Sequence, residues 1–290
     1  MSDKLKMVIP KGRLQEKVVD LLERIGIGLT FSTRSYRPVC SDSDIEIKIL
    51  KPQNVSSMVA LDRHDCGFTG YDWVEEQGLE NNPNLVELLD LGYGKVRIVA
   101  AVPDELARNG DYLNRKLVIA SEYQTLAQKY IERKGLDAVL IKAYGATEAL
   151  PPEDADMIID NTSTGSTLVM NRLTIVDELM VSTTRFVCTQ TALNNPAKKE
   201  KLEQLAMLFK SVLDAEKKVL LEMNVTKDKL DTLVAELPSM MAPTVSSLYN
   251  DAGFAVKIAV SRKDVFQLIP KLVAMGATDI LEYRLEKIVS

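Results

Sequence analysis

Through its first two thirds the chain switches repeatedly between two hydrophobic periods, and this switching restricts the fold more than any other feature. "LKMVIP" is a short apolar run that reads as a strand. "RLQEKVVDLLERIG" then places Leu14, Val18, Leu21, Leu22 and Ile25 at helical spacing, with Gly26 as a stop signal. "DIEIKIL" alternates Ile45, Ile47 and Ile49, the pattern of a strand with one buried face. "DCGFTG" leads into the helix-like "YDWVEEQG", and a second series follows: strands "KVRIVAAVP" and "KLVIAS", helix "YQTLAQKYIERKG", strands "AVLIKAYG" and "DMIID". Such alternation implies mostly parallel sheets flanked by helices, with ligands at the carboxyl ends of strands. "LGYGKV" and the long β-rich "RLTIVDELMVSTTRFVC" read as crossings between two lobes, which leaves a cleft between them for a small ligand.

After residue 196 the pattern changes. A long charged helix, "PAKKEKLEQLAMLFKSVLDAEKKV", precedes segments in the order β-α-β-β-α-β, the ferredoxin-like arrangement. Pro270 inside the second of those helices argues against an unbroken helix there.

Charge and composition exclude several function classes. With 36 basic and 41 acidic side chains the net charge is −5, which does not suit a general nucleic-acid surface, so any phosphate site must be local and built by loops. No apolar run is long enough to span a bilayer, and no signal segment is expected at the start. Cys40, Cys66 and Cys188 lack metal-like spacing and fit buried or half-buried thiols in a reducing cytoplasm. His64 is the only histidine, which makes a Ser-His-Asp triad or a zinc site a poor expectation; a structural role is expected for it.

"MIIDNTSTGSTLVM", residues 157–170, carries the most chemistry. The strand is expected to end at Asp160. The glycine that follows permits close backbone approach, and hydroxyls at Ser163, Thr164, Ser166 and Thr167 surround it. A helix opening at Thr167 would add its first-turn amides, and such nests bind phosphate without lysine. An acid just before the nest suits sugar hydroxyls, so the pair favours a sugar phosphate. An ordinary turn uses the same residue types, and the loop alone leaves both readings open. It carries neither a P-loop Gly-Lys-Ser/Thr nor a Gly-x-Gly-x-x-Gly.

The ordered set "IPKGRL", "GFTGYDWVEE", "LLDLGYGKVRIVAAVP", "GATEALP" and "DNTSTGSTLVMNRL" resembles the ATP phosphoribosyltransferase family over essentially the whole chain. "LPSMMAPTVSSL" and "LVAMGATDILEYRLEKI" resemble the regulatory tail of its long form. The resemblance implies an α/β fold: a two-lobed catalytic unit like type II periplasmic binding proteins, plus a C-terminal ferredoxin-like (ACT-like) βαββαβ domain. Lobe I is then expected at 1–95 and 181–212, lobe II at 96–180, and the regulatory domain at 213–290. The implied reaction joins adenine N1 of ATP to C1 of phosphoribosyl diphosphate and releases pyrophosphate, the first step of histidine biosynthesis, in the cytoplasm. Mg²⁺ is expected to arrive mainly on the diphosphate, with no dedicated metal ligands in the protein.

By the same resemblance Asp160 would hold the ribose hydroxyls, and Ser163, Thr164, Gly165, Ser166 and Thr167 the 5-phosphate. Glu148 and Arg13 would serve the reacting centre; Lys11, Arg13, Gly70 and Asp72 would face ATP. Lys51, in "LKPQNVSS", stands where the family commonly has an arginine and lacks its bidentate fork. The altered "HDCGF" is expected to place His64 beside the cleft. Asn224, Met240, Thr244 and Asp279 would surround histidine acting as feedback inhibitor. Dimers and hexamers are expected, with no nucleic-acid or membrane partner. A type I salvage phosphoribosyltransferase and a two-lobed small-ligand sensor are the competing classes; the first would need no histidine-binding tail and leaves "PKGR" and "GYD" unexplained, and the phosphoribosyl loop argues against the second.

Overall fold

The computed structural model describes residues 4–32, 35–237 and 242–289, apart from the Asp111 side chain. It separates into two compact units, one spanning residues 1–23 and 27–206, the other 24–26 and 207–290.

Two five-stranded sheets form the first unit. In the first sheet the order is Ile45–Leu50, Leu5–Pro10, Cys66–Gly70, Thr184–Thr189, Leu85–Asp90. In the second it is Leu173–Ser182, Val96–Pro103, Met157–Thr162, Leu117–Ser121, Ala138–Lys142. The expected alternation in "DIEIKIL" holds: Ile45, Ile47 and Ile49 are buried while the intervening residues are only half-buried. Neither sheet is mostly parallel, contrary to expectation. In each, two pairings are parallel and two antiparallel. The cause is the pair of crossing strands: Val96–Pro103, which carries the chain into the second sheet, and Thr184–Thr189, which brings it back to the first, each run against both of their neighbours.

The chain leaves the first sheet after Asp90 and enters the second at Val96, then returns across the single residue Thr183. The two crossings are joined to each other: the Leu91 amide donates to the Thr184 carbonyl at 3.0 Å, and the Thr184 amide to Tyr93 at 2.9 Å. The returning strand is held in the first sheet by Phe186, directly opposite Phe68 with ring centroids 5.0 Å apart. Such stacking adds about 0.5–1.5 kcal/mol beyond the area it buries.

The second unit contains a four-stranded antiparallel sheet in the order Thr244–Ser247, Phe254–Ser261, Lys218–Val225, Thr278–Arg284. With helices Leu230–Ala235 and Val265–Ala274 the element order is β-α-β-β-α-β, as the sequence implies. The strand Lys218–Val225 alternates strictly, burying Val219, Leu221, Met223 and Val225 against Leu233, Leu272 and their neighbours. Pro270 does not interrupt its helix. The hydrogen bond it forfeits would have gone to the carbonyl of Phe266, in the first turn, where the side chain is 89% exposed and water can substitute.

Candidate active site

Asp160 lies on the central strand of the second sheet. That strand does not end at Asp160 as expected but continues to Thr162, because Asp160, Asn161 and Thr162 keep pairing with Val99, Ile98 and Arg97 of the antiparallel neighbour. The turn comes at Gly165, with φ +82°, a left-handed conformation that suits glycine and caps the short helix Ser166–Met170. The loop is braced from within. Thr162 Oγ1 accepts the Gly165 amide at 3.0 Å, and the Thr164 and Ser166 hydroxyls lie 2.9 Å apart. The first-turn amides of Thr167 and Leu168 have no carbonyl four residues back within the helix.

Around this loop is a pocket of about 310 Å³ that gathers Arg13, Glu148, Asp160, Ser163, Thr164, Ser166 and Thr167. Residues 147 positions apart in sequence therefore share one wall. Its lining is rich in hydroxyls and carboxylates, with Arg13 the cation that faces in. Burial pushes the Asp160 carboxyl up to about 6, opposed by the Asn161 amide that donates to it, with Glu122 and Glu148 adding repulsion. That amide sits 2.7 Å from Oδ1, and the Asn161 side-chain nitrogen is 3.2 Å from the same oxygen.

A second pocket of about 210 Å³ adjoins the first, sharing Arg13 and Asn161 with it. Its walls come from both lobes: Lys11, Gly70, Asp72 and Trp73 on one side, Glu122 and Tyr123 on the other. Arg13 reaches both pockets because it opens the helix Arg13–Arg24 directly after the first strand and Gly12. Lys11 leans on Tyr36, its ammonium 5.1 Å from the ring centroid. Lys51 is exposed at the N-cap of helix Pro52–Ala60, and Pro52 and Gln53 beside it form the pocket wall.

Asp72 lines this pocket, yet its carboxylate is already occupied. It accepts from the Ser182 hydroxyl at 2.7 Å and the Tyr123 hydroxyl at 2.7 Å, and Asp72 is only 5% exposed. Nor is it the N-cap of its helix; Gly70 holds that position. A Cβ on Gly70 would fall 2.2 Å from Asp72 Oδ1, so the glycine makes room for the carboxylate itself. Burial, and then Asp72, hold the Tyr123 phenol well above its ordinary range, which keeps it a donor.

Sequence reasoning passed over Arg97, Tyr123, Asn161 and Ser182. Asn161 donates to the Tyr123 oxygen at 3.1 Å and so ties the two pockets together. The Arg97 guanidinium comes within 4.0 Å of the position a Cβ on Gly165 would take, and pairs with Glu178 at 3.3 Å. Its one sequence signal is a cation inside the apolar run "KVRIVAAVP". His64 lines neither pocket of the cleft; it faces a separate cavity.

In the second unit the Asn224 side chain donates to Asp279 at 3.0 Å, which brings two of the four expected histidine-site residues together. Thr244 lies on the edge strand, with Phe254–Ser261 between it and the strand of Asn224. Met240 lies outside the described residues.

The ATP phosphoribosyltransferase family profile matches residues 51–211, and a profile described as the HisG C-terminal domain matches residues 215–287. A protein of Thermodesulfovibrio yellowstonii named ATP phosphoribosyltransferase is 40% identical over 296 aligned positions, covering 100% of each chain. One of the same name from Pelotomaculum thermopropionicum is 38% identical and covers 99% of each. Among solved structures, the ATP phosphoribosyl transferase (HisG:HisZ) complex from Thermotoga maritima aligns with TM-score 0.61 and 29% identity, over 71% of this chain and 98% of that one. The two-sheet unit with its acid-and-hydroxyl loop, the appended βαββαβ unit and full-length similarity agree: the chain belongs to the ATP phosphoribosyltransferase family, in the long form that carries its own C-terminal domain.

Proposed function

We propose that the chain transfers the phosphoribosyl group of phosphoribosyl diphosphate to N1 of the adenine of ATP. The bond from ribose C1 to the diphosphate oxygen breaks, the bond from C1 to N1 forms, and pyrophosphate leaves with the electron pair. The observation that carries this reading is the pair of adjoining pockets that share Arg13 and Asn161, one suited to a sugar phosphate and the other formed by both lobes. Ser163, Thr164, Gly165, Ser166 and Thr167 hold the 5-phosphate, and Asp160 accepts from the ribose hydroxyls. Arg13, on the wall common to both pockets, stabilises charge on the departing diphosphate. Lys11, Lys51 and Gly70 lie along the ATP side, while Asp72 acts by fixing Tyr123 and Ser182. Adenine N1 brings its own lone pair, so positioning and charge stabilisation supply the rate enhancement without a general base.

Magnesium, carried on the diphosphate, would neutralise the leaving group in the pocket that Glu148 and Asp160 line. In the second unit, Asn224 and Asp279 form a polar pair able to hold the ammonium and carboxylate of free histidine as feedback inhibitor. The family resemblance supports dimers and hexamers of this chain acting in the cytoplasm. Among the described residues no helix is long and apolar enough to cross a membrane.

The test is turnover with ATP, phosphoribosyl diphosphate, magnesium and pyrophosphatase, followed by the ultraviolet change of N1-substituted ATP. Product with a free purine or pyrimidine base but none with ATP would replace this reading with a salvage transferase, and tight ligand binding without turnover would replace it with a sensor. Histidine should inhibit the intact chain and lose its hold in Asp279→Ala; equal inhibition of both refutes the assigned inhibitor site.

A further inference from the structure

A further cavity lies outside the cleft. It measures about 660 Å³, lies between the edge strand of the first sheet and helix Pro52–Ala60, and shares no lining residue with either cleft pocket. Lys6 and Lys48 enter it from adjacent strands, Arg37 from the connection before the edge strand, and Arg63 from the turn after helix Pro52–Ala60. Four cations thus converge from four segments, and among the described residues Glu46 is the one carboxylate in the lining. None of the four makes an ion pair among the described residues. The nearby Asp65 is engaged elsewhere, by Lys198 at 2.8 Å and by the Lys6 backbone amide at 2.7 Å.

On a chain of net charge −5, such a concentration of one sign is a local departure that repulsion works against. His64 registers the field. Its imidazole is held below its usual range by burial and then by Lys48, Arg37 and Lys6, with Asp65 opposing, and its buried Nδ1 has no hydrogen-bond partner among the described residues. Leu50 and Met58 add an apolar surface beside the cations. The volume falls within the roughly 300–1,000 Å³ typical of small-molecule sites.

We propose that this cavity is a second phosphate site, taking a small organic polyphosphate such as a nucleoside di- or triphosphate. Its phosphates would sit among Lys6, Arg37, Lys48 and Arg63, and its base against Leu50 and Met58. The proposal rests on the cavity alone and stands apart from the transferase reading, since it calls on no residue of the cleft.

Calorimetric titration of the full-length chain with inorganic tripolyphosphate tests it, using Lys48→Gln/Arg63→Gln and, separately, Gly165→Val. The wild type should bind two equivalents per chain. Gly165→Val should keep the cavity site, and the double variant should lose it, with affinity there falling at least about tenfold per cation removed. Turnover by the double variant should be unchanged, and Lys6→Gln/Arg37→Gln should repeat the result should the first pair fold poorly. Adenosine triphosphate should bind the Gly165→Val cavity more tightly than tripolyphosphate does, because only it can use Leu50 and Met58. The proposal is overturned if the double variants bind with wild-type stoichiometry and affinity, or if Gly165→Val abolishes all tripolyphosphate binding.

Discussion

Two acids, the buried Asp72 and the half-buried Asp160, stand on either side of the Tyr123–Asn161 contact, and their surroundings are opposite. Asp72 has a hydroxyl donor on each oxygen. Asp160 has Asn161 on one oxygen and the Thr147 side chain favouring its charged form, with carboxylates rather than cations adding to its field. A saturated acid holds a fold together; an acid left with spare acceptor capacity at a pocket wall is poised for a ligand. The cost of the second arrangement is visible as a pKa raised to about 6.

The widest separation between the two should come from substituting each. Asp160→Asn should lower kcat/KM for phosphoribosyl diphosphate by about 10²–10⁴, the range of one or two charged hydrogen bonds. At pH 7 it should also raise the unfolding free energy, by up to about 3 kcal/mol, since roughly two pKa units of penalty disappear. Wild-type kinetics in this variant would break the comparison outright. Asp72→Ala should do the reverse in stability, costing about 2–4 kcal/mol by leaving two buried hydroxyls without an acceptor; a variant as stable as wild type in urea would show that those bonds contribute little.

A smaller effect follows from linkage. Because the folded-state pKa of Asp160 lies above its unfolded value, native protein holds the proton more tightly than unfolded chain does. Its contribution to stability is therefore present below about pH 4 and lost as pH rises through about 6. The stability difference between Asp160→Asn and wild type should be near zero at pH 4 and reach its plateau above pH 6. A difference independent of pH would mean that burial, not charge, sets it. Last, Gly165→Ala should cost about 1–2 kcal/mol from the left-handed backbone alone, because its Cβ would meet Ile175 no closer than 3.7 Å. A much larger loss would point to contacts other than backbone strain.

The loop around Asp160 was legible in the sequence because each of its parts is local: an apolar strand, an acid, a glycine, hydroxyls. The βαββαβ tail was legible for the same reason, its two periods being properties of neighbouring residues. Tyr123, Asn161 and Ser182 were not, since each is an unexceptional polar residue until the crossings bring three segments together. The antiparallel half of each sheet was hidden similarly, because direction depends on where the chain returns and not on the pattern of the returning strand. Pro270 misled in the other direction: its penalty is small where the orphaned carbonyl lies in an exposed first turn.

"GYDWVEE" has a further role than lining a pocket. Trp73 stacks on Tyr123 with centroids 4.7 Å apart, and the Glu76 carboxylate accepts the Thr125 and Leu126 amides at 3.0 Å each, capping helix Gln124–Lys134 of the other lobe. With Asp72 on the Tyr123 hydroxyl, three successive interactions fasten one lobe to the other along one short helix. The lobes are therefore buttoned together before any substrate arrives. The ordering entropy of bringing the two halves of the site into register is met once, when the protein folds, and is not charged again against each binding event.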